Sequence, residues 1–355
     1  MDIGVITNPR SRKNRDRPDR AADLQRIVGN CGQVHRTETV DDIKPILRDF
    51  LRQRARYWVA DGGDGALHWM VRAGLEVLEE DEFAGSGLSL PLTVPTNGGT
   101  IDFVAQNVGI VGRAEDILHS LRDSVERHQD IEEVEVDSMA IDCVERTADG
   151  DREFRTYGFG SATAGIGQRF YDKYYAHADP NPRTIVKVVG TTIASMPIAL
   201  SPLRALPGIP AALRTYASEM FKPADVRITL DGMVLPATRY TGVHIASMSV
   251  MTGGVFRLFP KADRPGLMQC LLGTANPLGI VRQIPRMHAG KSLRGKKLID
   301  RACRSMTVEV VSDELMAPII DGEQYHNLSR ITFQLGPRLR IPKVVCRAPA
   351  ASHAA

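Results

Sequence analysis

The sequence has 355 residues, with 45 Lys and Arg against 42 Asp and Glu, and a formal net charge of +3. Hydrophobic residues make up 43% and charged residues 25%, which is ordinary for a globular protein and excludes a disordered, collagen-like or coiled-coil chain. At about 100–200 residues per domain, this length predicts two domains. The small net charge does not indicate a nucleic-acid-binding protein.

Cysteine spacing and hydropathy exclude further classes of protein. The five cysteines are scattered without a CxxC pair, so neither a zinc site nor a disulfide framework is indicated. The first residues are typical of a strand and not of a signal peptide. The uncharged stretch 188–203 contains two prolines and is shorter than the ~20 apolar residues of a membrane span. We expect a cytoplasmic protein without a transmembrane segment, able to bind peripherally at the inner face of the membrane.

Strand-like and helix-like segments alternate over the first 130 residues. Apolar runs predict strands at 3–7, 33–37, 57–60 and 90–94. Apolar residues at helical spacing predict helices at 21–28, 41–54, 66–78, 101–108 and 114–125. Such alternation is typical of βαβ units, so we predict a Rossmann-like α/β nucleotide-binding domain with a parallel sheet over residues 1–130.

Beyond residue 131 the pattern changes to short β-rich segments between turns. Strands are predicted at 131–136, 138–144, 226–230, 242–246, 306–311 and 331–334. Two helical stretches, 165–176 and 184–220, interrupt them. We predict an antiparallel β-sandwich-like domain with a helical insertion over 131–347, whose last segment can return to the first domain. Residues 348–355 are expected to be disordered.

The most informative motif is a strand that runs through Gly62-Gly63-Asp64-Gly65 into a helix. Glycines let backbone N–H groups approach a phosphate, and a helix N-terminus adds partial positive charge. A carboxylate in such a loop fits if it holds Mg²⁺, directly or through water. The alternative is a tight turn in which Asp64 is the N-cap of the helix.

A second glycine loop follows the next predicted strand. Gly98, Gly99 and Thr100 precede Asp102 and another predicted helix. Open α/β sheets bind ligands at the carboxyl ends of their strands, so the two loops are expected to face one crevice. The alternative is a capped helix with Asp102 in its first turn.

A third motif, Asp321-Gly322-Glu323, lies near the end of the chain. A carboxylate beside an alcohol can accept its proton as a general base. The alternative is a hairpin turn, because Asp-Gly is a strong turn signal and also occurs at 231–232.

Together these motifs resemble those of the bacterial diacylglycerol kinase family, lipid kinases related to sphingosine and ceramide kinases and distantly to NAD kinases. The resemblance covers nearly the whole chain. The matching positions are the turn at Asn8, Thr37, the loop 62–65, the loop 98–105, a motif at 253–262 and the motif 321–323.

The resemblance implies an ATP- and Mg²⁺-dependent lipid kinase of phospholipid metabolism that transfers the γ-phosphoryl group to a hydroxyl of a diacylglycerol-like lipid. It implies Glu323 as the general base, with Asp321 as second choice and Asp64 also in the catalytic set. Asp64 and Asp102 would organise Mg²⁺, directly or through water. The implied nucleotide contacts are Asn8, Thr37, Gly62, Gly63, Asp64, Gly65, Gly99 and Thr100.

Departures from the family pattern leave alternatives open. Ala66 stands where threonine is usual, and Pro265 stands where an acidic residue is usual. One alternative is a kinase of a sphingoid base or a soluble alcohol on the same fold. Another is a degenerate, non-catalytic nucleotide-binding protein. The expected partner is a lipid at the membrane surface and not a nucleic acid, and homodimer formation is left open.

Two segments bear on lipid access. The apolar stretch 186–220 is interpreted either as a lid that admits an acyl chain or as a helical pair packed on the β domain. A basic cluster between Arg282 and Arg304 is interpreted either as a contact for anionic headgroups or as a solvated face.

Overall fold

The computed structural model describes residues 1–178, 180–200, 210–252, 256–274, 279 and 282–344. The chain divides into two compact units. Unit 1 comprises Met1–Val136 and the segment from Arg338 onward, and unit 2 comprises Asp137–Pro337. The predicted disorder at 348–355 and the first part of the 253–262 motif, residues 253–255, lie outside the described residues.

Unit 1 contains a four-stranded parallel sheet, in the order β2-β1-β3-β4. The strands are β1 (Ile3–Thr7), β2 (Gly32–Arg36), β3 (Tyr57–Asp61) and β4 (Leu92–Pro95). β1 and β3 are buried along their whole length, because helices cover a parallel sheet on its faces. The predicted parallel α/β architecture is confirmed.

Helices connect these strands as the apolar spacing predicts. Within residues 1–136 they are α1 (Arg20–Val28), α2 (Ile43–Arg52), α3 (Asp64–Leu78), α4 (Phe103–Asn107) and α5 (Ala114–Glu126). α4 is shorter than the predicted helix 101–108. It begins only at Phe103 because Asp102 has a left-handed backbone conformation, with φ 52°.

Unit 2 is built mainly from antiparallel strands. The strands are β5 (Glu133–Thr147), β6 (Gly150–Gly158), β7 (Gly160–Gly165), β8 (Ala224–Leu230), β9 (Met233–Val234), β10 (Arg239–Tyr240), β11 (Gly242–Ala246), β12 (Val250–Thr252), β13 (Phe256–Leu258), β14 (Met268–Gly273), β15 (Leu298–Cys303), β16 (Ser305–Val310), β17 (Ile319–Ile320), β18 (Glu323–Gln324) and β19 (Leu328–Pro342). The division between the units falls within β5 and within β19.

These strands form two principal sheets. One has the order β10-β8-β16-β19-β5-β6, with β9 on β8, and the other has the order β15-β14-β11-β7-β17-β18. One apolar core contains residues from both sheets, such as Ile228 and Ile331 from the first and Ile245 and Cys270 from the second. Two sheets that share a core in this way confirm the predicted antiparallel β domain.

Helices interrupt unit 2 where they were predicted. They are α6 (Ile166–Tyr175), α7 (Pro182–Leu200) and α8 (Ala211–Met220), whereas the short α9 (Ile284–His288) was not predicted. Within the predicted stretch 184–220, residues 201–209 lie outside the described residues. Among the described residues, no helix combines the length and the apolar character that crossing a bilayer requires.

Several strand predictions were wrong in unit 2. The two strands predicted at 131–136 and 138–144 form the single strand β5, and the strands that were missed include β6, β7, β14 and β15. β6 was missed because its outward positions are charged. In the register of β5 and β6, Asp142 lies opposite Arg155, and the two side chains form an ion pair of 2.6 Å. Such cross-strand pairs support a strand without an apolar pattern.

Candidate active site

The glycine loops of unit 1 lie at the carboxyl ends of neighbouring parallel strands. Gly62 follows β3, and Thr96 follows β4, which pairs with β3. Asn8 follows β1 on the other side of β3, and its backbone N–H donates to the carbonyl of Asp61 at 3.0 Å. This edge of the sheet is where the sequence predicts a ligand crevice.

A buried ionic network lies under the first loop. Asp61, the last residue of β3, is completely buried and accepts hydrogen bonds from the guanidinium of Arg20 at 2.8 and 3.1 Å. The hydroxyl of Thr7 donates to the same carboxylate at 2.6 Å, and the amide of Asn14 donates to it at 3.0 Å. The sequence reasoning missed these residues. A carboxylate that ends a buried strand was the available signal, because a buried charge needs partners.

Thr96 joins the two loops. Its hydroxyl accepts a hydrogen bond from Gly62 N–H at 3.1 Å and lies 3.1 Å from the carbonyl of Ala60. The N–H of Gly98 donates to the carbonyl of Gly62 at 2.9 Å. The second loop is therefore held against the first by backbone contacts and by one buried hydroxyl.

Glycine is required where the loops touch. A Cβ added to Gly63 would lie 2.7 Å from Cα of Gly99, and a Cβ added to Gly98 would lie 2.7 Å from the backbone of Gly62. Real Cβ atoms do not approach backbone atoms this closely. Gly63, Gly98 and Gly99 are thus explained by the packing of one loop on the other, before any ligand is considered.

Asp64 connects the first loop to α4. Its two carboxylate oxygens accept hydrogen bonds from the N–H groups of Phe103 at 3.1 Å and Val104 at 3.2 Å. Asp64 is the first residue of α3, whose N-cap position is Gly63. The alternative prediction, that Asp64 is the N-cap of the helix after its loop, is therefore wrong: its side chain caps the helix after the second loop.

Asp102 precedes α4 and is buried. One carboxylate oxygen accepts the N–H of Gly99 at 2.8 Å, and Nζ of Lys13 lies 3.8 Å from the other. Burial raises the pKa of Asp102 to about 6, against the weaker opposing effects of the Gly99 hydrogen bond and of Lys13 and Arg12. The ammonium of Lys13 also donates to the carbonyl of Asn97. The charged carboxylate is therefore only partly compensated by its surroundings.

This donor set bears on Mg²⁺ binding. No cluster of three or more metal-ligating side chains occurs among the described residues. Mg²⁺, however, is commonly bound by one or two carboxylates together with waters and substrate phosphates. Asp64 and Asp102 lie next to the same loop contact, and the incomplete charge compensation of Asp102 fits a nearby cation. The residues therefore fit a Mg²⁺ held largely through water.

The other predicted nucleotide contacts lie in or beside these loops. Thr37 follows β2, and both its N–H and its hydroxyl donate to the carbonyl of Thr7, at 3.2 and 3.4 Å. The side-chain oxygen of Asn8 accepts the N–H of Arg10 at 2.9 Å. Gly65 lies in the first turn of α3, and Thr100 lies in the second loop, half-buried.

In unit 2, Asp321 and Gly322 form the hairpin turn between β17 and β18, so the alternative interpretation of this motif is confirmed for its backbone. Both residues have positive φ, 50° and 92°. The carboxylate of Asp321 is buried and accepts the N–H groups of Phe159 at 3.0 Å and Gly160 at 2.8 Å. This carboxylate fixes the hairpin against the β6–β7 connection.

Glu323 follows this turn and is half-buried. Its neighbours are held by α6: the hydroxyl of Tyr175 donates to the carbonyl of Gly322 at 2.7 Å, and the amide of Gln324 donates to Asp172 at 2.7 Å. Burial, together with the negative charge of Glu323, raises the pKa of Tyr175. Tyr175 and Asp172 were missed by the sequence reasoning, because nothing in the spacing of α6 connects it with a hairpin about 150 residues later.

Comparison with known families agrees with this geometry. Residues 2–134 match the family model of the diacylglycerol kinase catalytic domain. This part of the chain is similar to the diacylglycerol kinase catalytic domain. The matched residues contain both glycine loops, Asp64 and Asp102, so the resemblance inferred from the motifs is confirmed. No curated protein gives a significant sequence match to the chain.

Solved structures share the fold of this chain over nearly its whole length. A crystal structure assigned to a diacylglycerol kinase of Bacillus anthracis str. Sterne matches with a TM-score of 0.59 and 13% identity, and covers 98% of this chain and 97% of its own. A second diacylglycerol kinase structure from that organism has a TM-score of 0.53 and 13% identity, and covers 97% and 98%. At this identity the likeness establishes the fold.

Proposed function

We propose that the protein is an ATP- and Mg²⁺-dependent lipid kinase that transfers the γ-phosphoryl group of ATP to a hydroxyl of a diacylglycerol-like lipid. The observation that carries the proposal is the paired glycine loops at the carboxyl ends of β3 and β4, within a diacylglycerol kinase catalytic domain. The assignment of residues 1–130 to nucleotide binding and 131–347 to the lipid substrate stays part of the proposal.

Phosphate binding is supported by the start of α3. The first N–H groups of a helix have no partner within the helix, and they carry the positive end of its dipole. α3 begins at Asp64, directly after Gly62 and Gly63, so the loop brings these N–H groups to the edge of the sheet. The proposal assigns the phosphates to this loop and gives Thr37, Asn8, Gly99 and Thr100 the surrounding nucleotide contacts.

Asp64 and Asp102 are the residues that would hold Mg²⁺. The ion, when bound, neutralises charge on the phosphates during transfer. Asp64 also fixes the N-terminus of α4 through Phe103 and Val104, which keeps the second loop in place. Lys13, 3.8 Å from Asp102, supplies a fixed positive charge at the same loops.

The proposal gives Glu323 the role of general base for the acceptor hydroxyl. Its half-buried position at the end of a tight turn, with both neighbours braced by α6, supports a carboxylate of fixed direction. In phosphoryl transfer the base accepts the proton of the attacking alcohol, and most of the remaining catalysis is positioning. The bonds from Phe159 and Gly160 to Asp321 favour a positioning role for that residue.

Transfer of labelled γ-phosphate from ATP into lipids tests the proposal. The acceptors are purified diacylglycerol and a lipid extract of bacterial membranes, and the wild type is compared with Asp64→Asn. Asp81→Asn is the matched control, because Asp81 is exposed in unit 1 away from the loops. We expect a labelled lipid with the wild type and the control, and loss of labelling with Asp64→Asn.

The chemical identity of the labelled product shows which molecule accepts the phosphoryl group. Label in diacylglycerol supports the proposal as stated, whereas label confined to a sphingoid base or a soluble alcohol would replace the acceptor and retain the kinase. Binding of ATP without transfer to any acceptor would indicate the non-catalytic alternative. Ala66, whose Cβ would lie 2.5 Å from a Cβ on Gly62, is the departure from the family pattern closest to the loop.

A further inference from the structure

Helix α7 has one solvent-exposed face. Between residues 183 and 197 the exposed positions are 183, 186, 187, 190, 193, 194 and 197, and all others are buried or half-buried. At 100° per residue these positions fall within an arc of about 120°. We call this set of residues the α7 face.

The opposite side of α7 is fixed within unit 2. Val188 and Met196 are buried, and the hydroxyl of Tyr216 on α8 lies 2.9 Å from the hydroxyl of Thr192. The same tyrosine donates to the carbonyl of Val188 at 3.2 Å. The helix is therefore held from behind, and within the described part of unit 2 the positions of the α7 face are exposed.

The α7 face is apolar at one end and cationic at the other. Val186 is 72% exposed and Ile193 is 44% exposed, so two β-branched side chains project from this face into solvent. Pro197 lies one turn beyond Ile193, and Arg183 and Lys187 lie at the start of the helix. From Gly190 to Pro197 the exposed positions carry no charge.

The charged residues of the segment 180–218, which contains α7, are all basic. Between Asp179 and Glu219 the sequence has four basic residues and no acidic residue. Within the described part of the chain, neither Arg183 nor Lys187 forms an ion pair. On neighbouring α6, by contrast, Arg169 pairs with Glu314 at 3.4 Å and Lys173 pairs with Glu219.

We propose that the α7 face docks on the surface of a bilayer that contains anionic phospholipids. Val186, Ile193 and Pro197 would enter the boundary between headgroups and acyl chains, while Arg183 and Lys187 extend to the phosphates. Anionic lipid supplies the negative charge that this surface lacks. A second copy of the chain fits less well, because it would bring two cationic faces together. The inference rests on the proposed function, since it names the surface from which a lipid acceptor is taken.

Sedimentation with vesicles tests the docking without any turnover. The wild type is mixed with vesicles of phosphatidylcholine alone, or of phosphatidylcholine with phosphatidylglycerol. The Val186→Asp/Ile193→Asp variant is expected to partition at least about tenfold less onto the anionic vesicles. Val234→Asp is the matched control, because Val234 is 63% exposed on β9 of the same unit. Equal binding of the double variant and the control would overturn the proposal.

A second experiment measures a fluorescence change in bound protein, so a variant that simply fails to fold cannot produce the expected result. In Ile193→Trp, the new indole is expected to be quenched by vesicles with brominated acyl chains, whereas in Val234→Trp it is not. Bound protein with no quenching at position 193 would overturn the proposal. A change from dimer to monomer in Val186→Asp, with vesicle binding unaltered, would assign the face to a second copy and would also overturn it.

The two proposals fail separately. If the wild type phosphorylates lipid but the Val186→Asp/Ile193→Asp variant still binds vesicles normally, the docking proposal is wrong and the proposed kinase activity is retained. If the wild type docks through α7 but phosphorylates no lipid, the docking stands and the acceptor is wrong. Arg183→Glu/Lys187→Glu is expected to lose the preference for anionic vesicles, and retention of that preference would contradict the charge argument.

Discussion

Gly63 and Gly99 lie back to back, so close that a Cβ on Gly63 would come within 2.7 Å of Cα of Gly99. One residue belongs to the loop after β3 and the other to the loop after β4. Each loop therefore supports the backbone conformation of the other. Changes in the second loop should for this reason alter the loop after β3, to which the proposal assigns the phosphates, without any direct contact with a nucleotide.

Gly99→Ala is expected to destabilise unit 1 by about 1–3 kcal/mol, because the added methyl group overpacks the contact. It is also expected to weaken ATP binding. Thermal unfolding and nucleotide titration measure the two effects. Gly190→Ala serves as control: its Cβ would meet nothing within 4 Å, and its stability should be equal or slightly higher. Similar behaviour of the two variants would refute the loop-contact argument.

Asp102→Asn is expected to be more stable than the wild type and less active. The pKa of Asp102 in the folded protein is about 6, above the ordinary value of 3.8. Between these values the folded state binds a proton that the unfolded state does not bind, so the charged carboxylate reduces stability as pH rises from about 4 to 6. The effect amounts to at most about 3 kcal/mol.

Denaturant unfolding at pH 4 and pH 7 measures this prediction. The asparagine keeps an acceptor for the N–H of Gly99, so the fold is retained. The variant should lose the part of the pH dependence that Asp102 causes, while kinase turnover falls because a Mg²⁺ partner is gone. Unchanged turnover would remove Asp102 from the proposed metal site.

Glu323→Gln is expected to lower kcat by about 10²–10⁴-fold with little change in ATP affinity, because a general base acts in the transition state. Steady-state kinetics and nucleotide titration separate the two quantities. Glu153→Gln, on exposed β6 of the same unit, is the control. A loss confined to nucleotide affinity would count against the role of base.

Tyr175→Phe tests whether the turn beside Glu323 must be held. The change removes the hydrogen bond to the carbonyl of Gly322 and leaves the aromatic contacts with Tyr171 and Tyr174 in place. We expect a modest fall in kcat, a shift of its pH profile and near-normal thermal stability. A fall in stability alone would make Tyr175 purely structural.

In unit 2, His244 is expected to make stability depend on pH in the opposite direction to Asp102. Burial lowers its pKa to about 4, from the ordinary value of 6.5. As pH falls below 6.5, the unfolded state takes up a proton that the folded state does not bind, so stability is lost. Between pH 7 and pH 5 this amounts to about 2 kcal/mol.

The variant His244→Gln should abolish that loss, as measured by urea unfolding at both pH values. The ring packs on α6, where a Cβ on Gly167 would lie 2.0 Å from Cε1 of His244. Gly167→Ala should therefore destabilise the unit unless the histidine is also made smaller. An equal loss between pH 7 and 5 in His244→Gln would assign the effect to another group.

The elements of the fold that the sequence predicts are those with a local pattern of apolar and polar residues. In unit 1, β1 matches its predicted bounds, and α3 begins two residues before its predicted start. In unit 2, β6 was missed because Arg152 and Arg155 form ion pairs with Glu145 and Asp142 of β5, which a local pattern cannot show. The strand β19 was predicted only over 331–334, since it continues through charged residues to Pro342.

The same distinction applies to the site. Glycine, carboxylate and strand order identified both loops, because those features are local. The role of Asp64 in capping α4 and the burial of Asp61 against Arg20 depend on which segments meet in space. Residues that act on a distant part of the chain carry no signal in their own neighbourhood.

The course of the chain through the two units has a consequence for synthesis. Unit 2 is inserted into unit 1, which is completed only by the segment from Arg338 onward. In that segment the N–H of Lys343 donates to the carbonyl of Glu132 at 2.7 Å, and Arg340 lies 3.5 Å from Glu133. A ribosome must therefore have translated past residue 343 before unit 1 can close. A fragment that stops at residue 134 would leave the ribosome as an unfinished structure, although it contains every residue of the family match.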